Sequence, residues 1–216
     1  MPTVSSPVLV DSSNSGSLGD LITNDVTPSI SFQIPSDVAD GTTVTLYIMQ
    51  GDPLAEVEVG SVEVDAAYLP GAEVTLLHSG SDLTAGTYDY FVRVVEDPIG
   101  TAVTTNSAVT SVIIDNIQPN VSGIVAPAVL NEATVLAGTF DVVITFDSEM
   151  DTGAGATPAI TFSTPISGAT LSTSTANMDG TVCPPTYPLA EDGQDASGIM
   201  MAVTRAKDLA GNDLTP

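Results

Sequence analysis

Short β-branched runs, each closed within a few residues by glycine, proline or aspartate, constrain this chain more than any other feature. They recur at 29–34, 43–49, 55–59, 72–78, 87–95 and 107–114, after a first run at Pro7-Val-Leu-Val10. The punctuation between them includes Pro35-Ser36-Asp37, Asp40-Gly41, Gly51-Asp52-Pro53, Pro70-Gly71 and Ala85-Gly86. Val, Ile and Thr are stiff at χ1 and suit a pleated surface. Gly, Pro and Asp supply the dihedrals and local hydrogen bonds of tight turns. No helical period competes with this pattern. Residues 11–27, rich in Asp, Ser, Asn and Gly, read as one long loop. Seven short strands over about 110 residues predict an antiparallel sandwich of immunoglobulin type.

The pattern stops at Val112-Ile113-Ile114 and restarts after Asp115, Asn116 and Pro119. Beyond that point strands are expected at 121–126, 139–146, 158–163, 168–173 and 198–205. Thr181-Val-Cys-Pro-Pro-Thr-Tyr-Pro-Leu189 holds three prolines, which cannot donate to a ladder, so an edge or distorted strand is expected there. After Lys207 no counterpart of the first half's closing strand is read. The expectation is an all-β chain of two tandem immunoglobulin-like β-sandwich domains. These are 1–115 and 121–216, joined by a short linker at 116–120, with the second domain lacking its last strand.

Composition narrows the function. Hydrophobic residues make up 43% of the 216, enough for real cores, and with no Trp these must be built from Val, Ile, Leu and Ala. The 27 acids face only Arg93, Arg205 and Lys207, for a net charge of −24. Residues 1–115 carry 16 acids and one base, and residues 116–216 carry 11 acids and two bases. Such a surface repels nucleic acid and anionic lipid, so neither is an expected partner. No apolar run approaches the ~20 residues of a membrane helix, and membrane insertion is not expected. No secretory leader pattern is read after Met1. A single cysteine, Cys183, excludes an intrachain disulfide.

Several segments resemble the immunoglobulin-like domains strung in tandem in large bacterial surface adhesins and biofilm-associated proteins. In the first half these are Asp20-Leu-Ile-Thr-Asn-Asp-Val-Thr-Pro28, Gly41-Thr-Thr-Val-Thr-Leu-Tyr47 and the closing Ile114-Asp115 with Pro119. In the second they are Gly138-Thr-Phe-Asp-Val-Val-Ile-Thr-Phe-Asp-Ser-Glu-Met-Asp151, Ala190-Glu-Asp-Gly-Gln-Asp-Ala-Ser-Gly-Ile199 and Ala206-Lys-Asp-Leu-Ala-Gly-Asn212. The chain departs from that family at Cys183-Pro-Pro-Thr-Tyr-Pro188 and in the absent closing strand. The resemblance implies a spacer role at the cell surface, outside the cell, with calcium bound near domain junctions.

Loop alternation in a sandwich gives the acids a place. Loop 11–27 and Asp115 fall at the joint end of the first domain, bringing Asp11, Asp20, Asp25 and Asp115. From the second domain, loops 147–157 and 206–213 bring Asp147, Glu149, Asp151, Asp208, Asn212 and Asp213. Calcium takes six to eight oxygen ligands in flexible geometry. Asp11, Asp20, Asp25, Asp115, Asp147, Asp151, Asp208, Asn212 and Asp213 are therefore the candidate Ca2+ ligands. Asp37, Asp40, Glu96, Asp97 and Asn106 form a similar half-set at the other end of the first domain. The competing reading is that loop Asp and Asn shape turns, and that the surface charge is general. No EF-hand loop is present.

No catalytic constellation is found, and the chain is read as not an enzyme. His78 stands alone at a strand end and reads as structural or surface. Cys183 lacks a basic neighbour, Glu191 and Asp192 carry no weight among so many loop acids, and Asn120-Val-Ser122 is a sequon expected to go unused. Met200-Met201 is expected in the core. The leading expectation is an adhesin extender module made rigid by calcium, with neighbouring immunoglobulin-like domains as partners. The alternative is a filament or surface-layer subunit forming a homopolymer by strand exchange, with Pro2–Val10 as the donated segment. A third is a sugar, peptide or ice-binding module, which the scarcity of aromatics weakens.

Overall fold

The computed structural model describes residues 2–50, 55–96, 102–126, 139–153, 155–162, 180–184, 186–188 and 200–215. Among them the regular structure is all strand, apart from one 3-10 turn at Asp11–Ser13. The chain divides into two compact units, Met1–Asn116 and Ile117–Pro216.

The first unit contains β1 (Val8–Leu9), β2 (Ile22–Thr23), β3 (Ser29–Gln33), β4 (Thr43–Gln50), β5 (Ala55–Glu63), β6 (Glu73–Leu77), β7 (Gly86–Glu96), β8 (Val103–Asn106) and β9 (Thr110–Ile114). They form two sheets, in the orders β1-β3-β6 and β2-β9-β7-β4-β5, with β8 added beside β7. All pairings are antiparallel except β2 with β9, which is parallel. The period of two explains the core. Val44, Leu46 and Ile48 of β4, Tyr90, Val92 and Val94 of β7, and Val112 and Ile114 of β9 all point inward. They meet Leu9, Ile30, Phe32 and Val74 from the other sheet. Full burial of such a side chain stabilises the fold by about 1.5–3 kcal/mol.

The segment expected as one long loop, 11–27, is more ordered than that. The 3-10 turn carries the chain from the β1 sheet to the β2 sheet, and buried polar groups hold the crossing. The Thr23 hydroxyl donates to the Ser13 carbonyl, and the Ser13 hydroxyl accepts from Ser29 N at 2.9 Å. The Asn14 amide, oriented so that its nitrogen donates to Ile22 O, accepts from Gly19 N, both at 2.9 Å. The expected strand at 107–114 shortens to β9, a further strand, β8, stands before it in a stretch expected as loop, and the run at 55–59 extends to Glu63.

β5 closes one edge of its sheet. Its pairing with β4 slips between Leu46 and Tyr47, and its exposed face carries Glu56 and Glu58. A bulge and like charges both discourage pairing with a further strand. The N-terminal segment, expected as a donor strand, pairs at home. Val8 and Leu9 sit opposite Ser31 and Ile30, and Leu9 is buried. Donation to another copy would withdraw Leu9 from its own core.

The second unit contains β10 (Val121–Val125), β11 (Thr139–Asp141), β12 (Val143–Phe146), β13 (Ala159–Phe162), β14 (Val182–Cys183), β15 (Thr186–Pro188) and β16 (Met201–Thr204). The run expected as one strand at 139–146 breaks at buried Val142: β11 pairs with β15, whereas β12 lies between β10 and β14. The proline-rich stretch gives two short strands in two different sheets, with β14 at an edge. Its core joins Val142, Ile144, Phe146, Met150, Ile160, Cys183, Ala206 and Leu214. The strand expected at 168–173 and the pair Glu191/Asp192 lie outside the described residues.

One expectation is corrected in this unit. Met201 packs against the core but Met200, just before β16, is 70% exposed. Alternation sends neighbours to opposite faces, so a Met-Met pair cannot enter one core together. Among the described residues no strand follows β16, and the tail makes isolated bridges and single hydrogen bonds. Lys207 bridges Asp213, Leu214 N donates to Ala206 O at 2.9 Å, and Thr215 N donates to Pro119 O at 3.0 Å.

Candidate functional site

In the first unit the proposed ligand residues are spread along one crossing segment and the end of β9. Asp11 opens the 3-10 turn and is exposed. Asp20 accepts Ile22 N through Oδ1 at 3.0 Å, which turns the chain into β2, with Leu21 at φ +62°. Asp25 Oδ1 accepts Thr27 N at 3.0 Å, turning the chain again before β3. Asp115 follows β9, and its backbone N–H donates to Thr23 O at 2.8 Å. That bond and the β2–β9 pairing bring Asp115 beside the Thr23–Asp25 stretch.

In the second unit Asp147 accepts from Asn120 twice, from the backbone N–H at 2.7 Å and from Nδ2 at 3.2 Å. These donors, the backbone one foremost, hold the Asp147 carboxyl below its ordinary range. Asn120 of the sequon is thereby engaged. Asp151 Oδ1 accepts Gly153 N at 2.8 Å. Asp208 is 1% exposed, and its two oxygens accept Asn212 N at 2.8 Å and Asn212 Nδ2 at 2.9 Å. Asp213, largely exposed, pairs with Lys207 at 2.8 Å. The tip between them turns on the Asp208 carbonyl, which accepts Gly211 N at 3.0 Å, with Gly211 at φ +85°.

A short side chain that binds an N–H two residues on is the physical reason Asp and Asn dominate turns. Asp20, Asp25 and Asp151 each do this, and Asp65 does so at Ala67. Turn formation and cation binding are compatible, because a carboxylate oxygen has lone pairs for an N–H and for a metal together. Among the described residues, no group of three or more His, Cys, Asp or Glu side chains is drawn close enough to hold a metal ion.

Three features escaped the sequence reading. Tyr88, near the start of β7, donates its hydroxyl to Thr84 O at 3.0 Å and so closes the corner leading into that strand. Two residues on, Tyr90 is fully buried, and burial pushes its hydroxyl pKa well up. Arg93 forms the second feature. Its guanidinium meets Glu56 through two bonds of 2.8 and 2.9 Å, donates to Asn106 Oδ1 at 3.0 Å and lies 4.6 Å from the Tyr47 ring centre. Tyr47 in turn stacks on Phe91. The third is the depth at which His78, read as structural or surface, is seated: it is 4% exposed. Period-two alternation from Val74 through Leu76 would have found it.

Compared with protein-family models and with curated proteins, the chain matches none.

Proposed function

We propose that the chain is a load-bearing spacer made of tandem immunoglobulin-like sandwich modules, of the kind strung in bacterial surface adhesins outside the cell. One observation carries the reading: the parallel pairing of β2, near the start of the first unit, with β9, near its end. Tension applied through the two ends of that unit pulls parallel neighbours in opposite directions. The bonds from Ile113 N to Leu21 O and from Asp115 N to Thr23 O, 2.9 and 2.8 Å, are then sheared together rather than opened one by one. The immunoglobulin reading has further support. The sheet orders correspond to strands A-B-E facing A′-G-F-C-C′, and Tyr88 with Thr84 reproduces the tyrosine corner of that fold.

Calcium belongs to the same proposal. Twenty-seven acids against three bases leave most carboxylates to be neutralised by something other than the chain. Asp11, Asp20, Asp25, Asp115, Asp147, Asp151, Asp208, Asn212 and Asp213 supply oxygen ligands of the type the ion prefers. Pulling single molecules through their ends tests the spacer role. Two separate unfolding steps are expected, and one step of gradual, low-force unzipping would refute it.

A further inference from the structure

His78 is the only histidine of the chain. It follows β6, and its backbone N–H donates to Pro28 O at 3.0 Å. Its Nδ1 is enclosed in protein with no hydrogen-bond partner. Beside the ring lies a cavity of about 350 Å³ between β5 and the 78–84 segment. Among the described residues, the titratable groups lining this cavity beside His78 are Glu58 from β5, Asp82 from His78's own segment and Tyr88 from β7. The other described lining residues, Gln50 and Val57 among them, carry no charge, and no Lys or Arg is among them. Nδ1 itself is out of reach of solvent while the ring is seated.

We propose that His78 is an acid-sensitive latch: neutral, it seats inward and pins the 78–84 segment; protonated, it turns out into the cavity toward Glu58 and Asp82 and frees that segment.

A neutral imidazole leaves one lone pair unmatched in this seat. An imidazolium has N–H donors on both ring nitrogens, and the one at Nδ1 would be a buried charge with no acceptor. Desolvation accordingly holds the His78 pKa below its ordinary range, opposed by a backbone hydrogen bond at Ser81. The cavity supplies room for the turned-out ring, and Glu58 and Asp82 supply acceptors. The segment is tied to the interior by Leu83, whose side chain is in the core and whose N–H donates to Val26 O at 2.9 Å. Release of His78 therefore reaches the first unit's core. Because the folded pKa lies below the unfolded one, the seated state keeps its full stability above about pH 6.5 and loses it as pH falls through that value toward the folded pKa.

One histidine makes the test clean, since no other side chain type has its ordinary pKa between about pH 5 and 8. Burial moves Cys183 further above the window, to about 11. An NMR titration of the labelled full chain follows the ring and the backbone amides together. The ring is expected to titrate below 6.5, with the amides of Gly80 to Thr84 moving in step and those of β9 stationary. In Glu58→Gln/Asp82→Asn the ring is expected to titrate lower still, by about half a unit or more. In His78→Gln the segment's amides should not respond to pH across this window. Amides of 80–84 that stay in place while the ring titrates would overturn the latch. So would a double variant with an unchanged titration.

Discussion

The Tyr88 hydroxyl and the Asp208 carboxylate each close a loop against its own backbone, and each is open to a single-atom test. Tyr88→Phe keeps the ring and removes the bond to Thr84 O. Urea denaturation of the first unit should show a loss of about 1 kcal/mol, the usual net worth of one such bond. Asp208 is buried with both oxygens engaged by Asn212. Asp208→Ala leaves those donors without their acceptor, and a loss of about 2–3 kcal/mol is expected in the second unit's transition. An unchanged midpoint would mean that the tip is held by other contacts. That these acids stand in turns was legible, because Asp20, Asp151 and Asp208 each precede or enter a glycine- or asparagine-marked reversal. What the sequence does not show is how closely acids from separate loops approach one another.

The crossing from β1 to β2 is the element most hidden in the sequence. β2 is two residues long, inside a stretch of Ser, Asn and Gly too polar and too short for alternation to register. Its identity comes from pairing with β9 and from the buried Ser13, Asn14 and Thr23 groups. Thr23→Val preserves shape but removes the hydroxyl that donates to Ser13 O and accepts from Asp25 N at 3.0 Å. A cost of about 1–3 kcal/mol is expected from the groups left unpaired, measured by chemical denaturation. Strands β4, β7 and β12 were legible because long alternating apolar runs have one compatible face. The break at Val142 was not, since a strand that changes sheets keeps its composition. On the outer face, Arg93 ties β7 to β5 and β8. Its guanidinium keeps the Glu56 carboxyl below its ordinary pKa. That contribution is present above about pH 4.5 and fades as pH falls through the folded value. Glu56→Gln should therefore destabilise near neutral pH, and the difference from the parent chain should shrink on acidification.

For the molecule as a whole, the charge of −24 is the dominant condition on stability. Self-repulsion of that size weakens any compact state, and added salt screens it. Calcium bound at defined positions must do more than screen. Melts in EDTA, in millimolar calcium, and in EDTA with NaCl at matched ionic strength separate the two effects. Specific sites raise Tm beyond the NaCl control, because a ligand of the folded state stabilises by mass action. Equal rises would reduce the carboxylates to general surface charge. The strand pattern announced an all-β chain, and the division after Asn116 falls where that pattern pauses.

The claim that the first unit is built to bear tension is tested most directly by pulling Asp115→Pro beside Tyr88→Phe. Proline at 115 deletes the N–H that donates to Thr23 O across the β2–β9 pair, whereas Tyr88→Phe deletes a bond outside it. A loss of about 1 kcal/mol lowers the Tm of a domain this size by about 4–8 °C, so the Tm of each variant is measured beside its unfolding force. The account predicts that Asp115→Pro lowers the force at which the first unit unfolds, while Tyr88→Phe leaves it near that of the parent chain. Equal losses of force in the two variants would contradict it.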